Sequence, residues 1–150
     1  MTSSGLSGGA LERVVAQVRA VGDGVVSSLG PGGAPQAAFL TLAVTERGEL
    51  VFDAREGSRK VANLRRDPRV AVVVGGPGGT TLQVEGVADV PEGADRERCA
   101  EAYRSAFPHF AASLDDPGIV VVRVVVRWAR WGDHRTSPPV VVELVGGGRA

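Results

Sequence analysis

Residues 51–74, VFDAREGSRKVANLRRDPRVAVVV, carry the pattern on which the fold turns. A strand ends near Asp53 and passes through a short turn into a helix that begins at GSRK, with Ser58 placed to cap it. Val61 and Leu64 keep helical spacing, and Pro68 drives the residue before it toward extended geometry, so the helix is short and a strand follows over Val70–Val74. Arg59 and Lys60 fall in the first helical turn, where the positive end of the macrodipole favours acidic residues instead. Free backbone N–H groups, a hydroxyl, a forked guanidinium and an ammonium together make a site for a phosphate-sized anion. The plain alternative is a solvated basic helix end.

Working outward, Leu11, Val14, Val15 and Val18 recur at helical spacing with Glu12, Arg13, Gln17 and Arg19 opposite them, which predicts an amphipathic helix ending at Gly22 and Gly24. Short β-rich runs follow: Val25–Leu29, the turn GPGGAP, Gln36–Thr45, the turn ERGE, and Leu50–Asp53. Beyond the quoted stretch, GGPGG turns into Thr80–Val90, whose Leu82, Val84, Ala88 and Val90 share one face while Gln83, Glu85 and Asp89 share the other. Asp95–Phe107 places Cys99, Ala102, Tyr103, Ala106 and Phe107 on a helix face that Pro108 ends, and this helix is expected to plug one end of a barrel. Ile119–Trp131 is a long strand with Arg123 and Arg127 on the same face, and Val140–Leu144 closes the set. About seven strands, few helices and short turns predict a mainly β fold, a six- to eight-stranded antiparallel barrel rather than an alternating βαβ sheet.

The length of 150 residues suits one domain, expected over 10–145 with flexible ends at 1–9 and 146–150. Seventeen basic residues balance seventeen acidic ones, so no whole-chain field draws nucleic acid. The lone Cys99 excludes an internal disulfide or a cysteine zinc cage and suits the cytoplasm. On its apolar helix face it reads as a small core residue. The N-terminus has no signal-peptide pattern, and Gly118–Val126, interrupted by Arg123, is too short to span a membrane. His109 and His134 are the only histidines and have no evident co-ligands, so no metal site is expected. No nucleophile triad or acid–base pair is visible, and the catalytic residues stay unassigned.

Gly57, Ser58, Arg59 and Lys60, followed by Asn63, Leu64, Asp67, Pro68, Arg69 and Val70, resemble the pyridoxamine 5′-phosphate oxidase-like family of FMN-binding split barrels, over about Val25–Trp131. The resemblance implies that Ser58, Arg59 and Lys60 hold the FMN phosphate, with Asp53 and Ala54 meeting the cofactor through their backbone. TLQVEG, residues 81–86, is similar to the family strand whose Gln bonds the flavin, which implies Gln83; RWARW, residues 127–131, is similar to a late strand with a Trp near the isoalloxazine, which implies Trp131. A homodimer with cofactor grooves between two barrels is implied as well, and hydride transfer to or from a small organic substrate. The pattern also departs from the family. Gln36–Thr45 has Ala38 and Ala43 where true pyridoxamine phosphate oxidases carry Arg and Lys, and the ending PVVVELVGGGRA has no histidine. Vitamin B6 oxidation is therefore not expected. Relatives use deazaflavin coenzyme F-420 or bind haem, so a deazaflavin-dependent reductase and a non-catalytic flavin or haem binding module stand beside the FMN reading.

Overall fold

The structure, a computed structural model, describes residues 5–145. In chain order the elements are α1 (Gly8–Val21), β1 (Asp23–Leu29), β2 (Pro35–Thr41), β3 (Ala43–Val44), β4 (Leu50–Arg55), α2 (Arg59–Arg66), β5 (Arg69–Gly75), β6 (Thr80–Asp89), α3 (Gly93–Ala106), β7 (Ile119–Asp133) and β8 (Val140–Val145). A 3-10 segment, Pro108–Asp115, joins α3 to the long β7. The eight strands form one antiparallel sheet in the order β2-β1-β5-β6-β7-β4-β3, with β8 added to β7. The two ends of that order, β2 and β3, are successive pieces of chain separated by Leu42 alone. The sheet therefore curls until its edges meet. Leu42 still donates its N–H to Gly22 O (3.0 Å) on the β1 side, and the next residue, Ala43, already pairs with Val51 of β4. Closure holds there and fails along the rest of β2, which leaves a split between β2 and the end of β4. This is the expected mainly β split barrel.

The inward faces of the strands follow the alternation in the sequence. Val72 and Val74, Leu82, Val84 and Ala88, and Val122, Val124 and Val126 join Phe52 in one buried cluster. The expected plug is a different helix. α1, not α3, enters the barrel mouth, with Val14 and Val18 wholly buried in that cluster. Gly22 ends α1 at φ 78°, a left-handed geometry that a side chain rarely adopts. Helical structure begins at Gly8 and Leu6 packs against the barrel core, so the chain takes up regular structure inside the stretch expected to be flexible. The expected loose tail over 146–150 lies outside the described residues.

α3 lies instead on the outer face of β3, β4 and β7, where Cys99, Ala100 and Tyr103 meet Ala43, Val51, Val121 and Leu114 in a second cluster. Ala106, expected on the apolar face, is exposed. The outer position follows from charge. Arg123, on that face of β7, is only 7% exposed, and its guanidinium meets Asp89 (2.9 and 2.6 Å), Glu49 (3.3 Å) and Asp95 (3.4 Å). Arg98 of α3 pairs with the same Glu49 and with Asp95 (2.9 Å). A desolvated guanidinium requires such a set of partners; α3 supplies one of them, Asp95, and adds Arg98 as the second cation on Glu49. Arg127 stays exposed because β7 bulges there: Glu85 faces Trp128 and Gly86 faces Val126, leaving Arg127 as the extra residue. A Cβ on Gly86 would sit 2.6 Å from Val125 O, so the close approach requires glycine.

Burial pushes the Glu49 carboxyl upward, but hydrogen bonds from Arg98 and Thr45 and the charges of Arg98 and Arg123 outweigh it, holding the pKa below its ordinary 4.5. A depressed folded pKa contributes stability that is present above the unfolded value and lost as pH falls through the folded one. Glu49→Gln is expected to cost about 3 kcal/mol near neutral pH. It should also flatten the acid limb, the parent losing more stability than the variant between about pH 5 and pH 3. Denaturant unfolding of both proteins across that range measures it; parallel acid limbs would assign the acid sensitivity elsewhere.

Candidate functional site

β4 runs out at Arg55, and the chain turns through Glu56 and Gly57 into Ser58, whose extended backbone (φ −73°, ψ 157°) and Oγ, accepting from Val61 N–H at 3.4 Å, cap α2. The cap takes up one of the free N–H groups at the helix start, and those of Arg59 and Lys60 have no partner among the described residues. Val61 and Leu64 anchor α2 in the barrel core. The other side of the helix meets β1 and β2. There Arg59, Lys60 and Asn63 face Val26, Ser28, Gln36 and Ala38 across a cavity of about 520 Å³. Its polar floor is satisfied: buried Asn63 donates Nδ2–H to Ser28 Oγ (3.0 Å) and Gln36 Oε1 (2.8 Å), and its Oδ1 accepts from Arg66 (3.0 Å).

The cations around this cavity divide into two groups. Arg55 pairs with Asp116 (3.6 Å), Arg65 with Glu56 (2.8 Å) and Arg69 with Asp67 (2.7 Å), and the hydrogen bonds from Arg69 hold the Asp67 carboxyl down at about 2. Arg66 also donates to Leu29 O (3.1 Å). Arg59 and Lys60 meet no hydrogen-bond or ion-pair partner among the described residues. Two uncompensated positive charges therefore stand at the positive end of a helix, beside open volume.

Asp53 and Ala54 lie close by on the last turn of strand before that helix, paired with Val121 and Val120 of β7 and without a strand on the split side. The Ala54 side chain belongs to the core. The Asp53 carboxylate faces outward, accepting from Tyr103 Oη (3.0 Å) and Ser113 Oγ (2.9 Å), and Tyr103 Oη is also bonded to Thr41 Oγ1 (3.0 Å). Burial pushes the Tyr103 hydroxyl up to about 12, so it stays a donor.

The remaining expected residues are not gathered here within one protomer. Gln83 is exposed on the outer face of β6, in a cross-strand row that runs Phe39, Val25, Val73, Gln83, Arg130. Trp131 pairs with Leu82 and forms part of the α1 seat: its Nε1–H donates to Gln17 Oε1 (3.2 Å), and the Arg13 guanidinium lies 3.9 Å from its ring centre. Gln17 in turn donates to Val74 O (3.3 Å). The other tryptophan of RWARW, Trp128, pairs with Glu85 beside the bulge and is 8% exposed, its Nε1–H donating to Glu143 (2.7 Å). Sequence reasoning passed over Trp128, the Asn63–Ser28–Gln36 floor and the Tyr103–Asp53 pair. Asn63 left a signal, a polar residue between Val61 and Leu64 on the buried side of a short helix. Among the described residues no group of three His, Cys, Asp or Glu side chains could hold a metal ion, and no helix is long and apolar enough to cross a membrane.

The family model described as pyridoxamine 5′-phosphate oxidase matches residues 10–131. The chain belongs to the pyridoxamine 5′-phosphate oxidase family. Solved structures share the barrel. A heme-binding protein from Mycobacterium smegmatis is 21% identical with a TM-score of 0.77 over 92% of this chain and 59% of its own, so this chain spans under two thirds of that protein. A conserved hypothetical protein from Mycobacterium tuberculosis is 26% identical with a TM-score of 0.71 over the whole of both chains. A putative pyridoxamine 5′-phosphate oxidase from Listeria innocua is 23% identical with a TM-score of 0.65, covering 79% of this chain and 94% of its own. No curated protein matches. In this member of the family the two alanines noted above have distinct places: Ala38 lines the cavity beside Arg59 and Lys60, and Ala43 is buried under α3.

Trp131→Phe keeps an aromatic ring but removes one of the two donors to buried Gln17 Oε1, the other being Thr80 Oγ1 (3.3 Å), and is expected to cost about 1–2 kcal/mol through the lost bond and lost packing. A denaturant midpoint unchanged from the parent would show that Thr80 alone satisfies Gln17 Oε1.

Proposed function

We propose that this protein is a homodimeric oxidoreductase that binds FMN by its phosphate at Ser58, Arg59 and Lys60 and passes a hydride to or from a small organic substrate. The observation that carries the reading is the uncompensated Arg59–Lys60 pair at a capped helix start, facing a cavity whose floor is already satisfied. A phosphate dianion fits that donor set, being matched by two cations and two free N–H groups. When bound, the flavin supplies the redox chemistry and the protein supplies its position. Backbone groups of Asp53 and Ala54 border the cofactor along the split, and Gln83 addresses the ring edge. Deazaflavin coenzyme F-420 is the alternative cofactor for the same anion site. A non-catalytic haem-binding module is a second reading, favoured by the likeness to the M. smegmatis heme-binding protein. Oxidation of vitamin B6 phosphates is disfavoured by the absence of any cation on Gln36–Thr45. A reducing, cytoplasmic compartment suits the single buried Cys99, whose thiol burial pushes up to about 11.

The position of Gln83 supports the dimer. It lies on the outer barrel face, away from the cavity of its own protomer, and in the proposed dimer the partner barrel brings it to the cofactor. The same face exposes an apolar row, Phe39 (71%), Val73 (43%) and Val25 (38%), which a second copy would cover. A two-fold axis then makes two equivalent sites.

Replacing Arg59 and Lys60 together by Ala should weaken FMN binding at least about tenfold, through loss of charge-assisted bonds of about 1.5–3 kcal/mol each. Riboflavin, which has no phosphate, should bind as before, and the melting temperature without ligand should hold or rise slightly because like charges leave the helix start. Titrations of both proteins with both ligands decide this; equal FMN affinity would place the phosphate site elsewhere. The absorption spectrum of the purified parent separates flavin bands from the Soret band of haem.

Phe39→Glu should give a monomer in equilibrium sedimentation and lower FMN affinity by about tenfold, because a charge in an apolar interface is left unpaired. A dimer of unchanged stability would remove this face from the interface.

A further inference from the structure

We infer that Tyr103 is a positioning residue that sets where the split opens, and hence the slot offered to the cofactor; the cofactor part of this inference rests on the FMN reading above. The pairing of β3 with β4 runs Ala43 to Val51 and Val44 to Leu50. Carried one step further it would put Leu42 opposite Phe52, and one more step Thr41 opposite Asp53. The ladder stops before that point, since β2 pairs with β1 alone and Asp53 with Val121 alone. At the first place where the two lips separate, a side-chain hydroxyl replaces the missing backbone bonds. Tyr103 Oη is bonded to Thr41 Oγ1 on one lip (3.0 Å) and donates to Asp53 Oδ1 on the other (3.0 Å). Ser113 Oγ holds the second carboxylate oxygen (2.9 Å). Tyr103 is buried, and its ring packs on Phe107 with centroids 5.1 Å apart, which fixes where the hydroxyl stands.

The tie lies at one end of the split and the anion site at the other. From Thr41 back to Gln36, which forms part of the cavity floor, β2 is extended over five residues, about 17 Å. A ligand held by its phosphate at Arg59 and Lys60 has this length to occupy before it reaches the tie. Without the hydroxyl, Thr41 has no partner across the split, Asp53 keeps only Ser113, and the opening can run on toward Ala43 and Val51.

Tyr103→Phe tests this, because it keeps the ring and its packing and removes one oxygen. Hydrogen exchange in the ligand-free protein should quicken by about tenfold at residues 41–44 and 50–53 and stay near the parent rate in β5 and β6. FMN affinity should fall about fivefold, with a shift in the visible bands of the bound flavin. Thr41→Val, which removes one arm of the tie and leaves Tyr103 in place, should show the same local pattern more weakly and serves if the first variant does not fold. Exchange that quickens uniformly, or not at all, overturns the proposal, since a residue that only stabilises the fold would act everywhere. Local exchange with unchanged FMN affinity overturns its extension to the cofactor slot. If the parent binds no FMN, the FMN reading has failed, and the exchange result alone decides whether Tyr103 sets the opening.

Discussion

One stretch of backbone, Pro35–Val44, has to serve two partners that lie at opposite ends of the sheet order. Its first part completes the ladder with β1 and its last two residues start the ladder with β4, with Leu42 as the only residue between. Because the chain cannot stretch, this single handover bends eight strands into a barrel. A strand that satisfies both neighbours in turn cannot satisfy both along its whole length. The split is therefore a consequence of closure, and it places unpaired strand edges beside the start of α2.

The charges of the molecule divide according to whether closure leaves them dry or wet. Arg123 and Glu49, trapped under α3, are balanced by Arg98, Asp89 and Asp95, which makes α3 inseparable from the outer sheet. Around α2 most guanidiniums have a carboxylate within reach, while Arg59 and Lys60 have none among the described residues. Beside the cavity, the carboxylates are taken up by Arg55, Arg65 and Arg69. The same helix buries Val61 and Leu64, so the charged turn is held in place by the core itself.

Membership of the pyridoxamine 5′-phosphate oxidase family goes with the barrel, and the side chains around the cavity give it its chemistry. Ala38 is an apolar part of the cavity wall and Ala43 is sealed beneath α3. The anion site and the outer-face Gln83 are separated by the thickness of the sheet.

Local rules were enough for much of this. Alternation in Thr80–Val90 matches β6 to within a residue, and Ser58, Pro68 and the Val61–Leu64 spacing mark α2 because capping, proline geometry and amphipathic periodicity are properties of neighbouring residues. The place of Arg59 and Lys60 in the first turn of α2 was legible for the same reason. Other features required residues distant in sequence. That α1 enters the barrel while α3 covers the outer sheet goes with Arg123, whose partners Asp89, Glu49 and Asp95 are distant from it in sequence. The two tryptophans of RWARW are separated by a bulge opposite Gly86, which shifts the alternation by one residue and which no periodicity within β7 reveals. The tie from Tyr103 to Thr41 and Asp53 joins positions some 50 to 60 residues apart along the chain. Hydrogen-bond partners at that distance are chosen by the closure of the sheet, so only the tertiary structure could decide them.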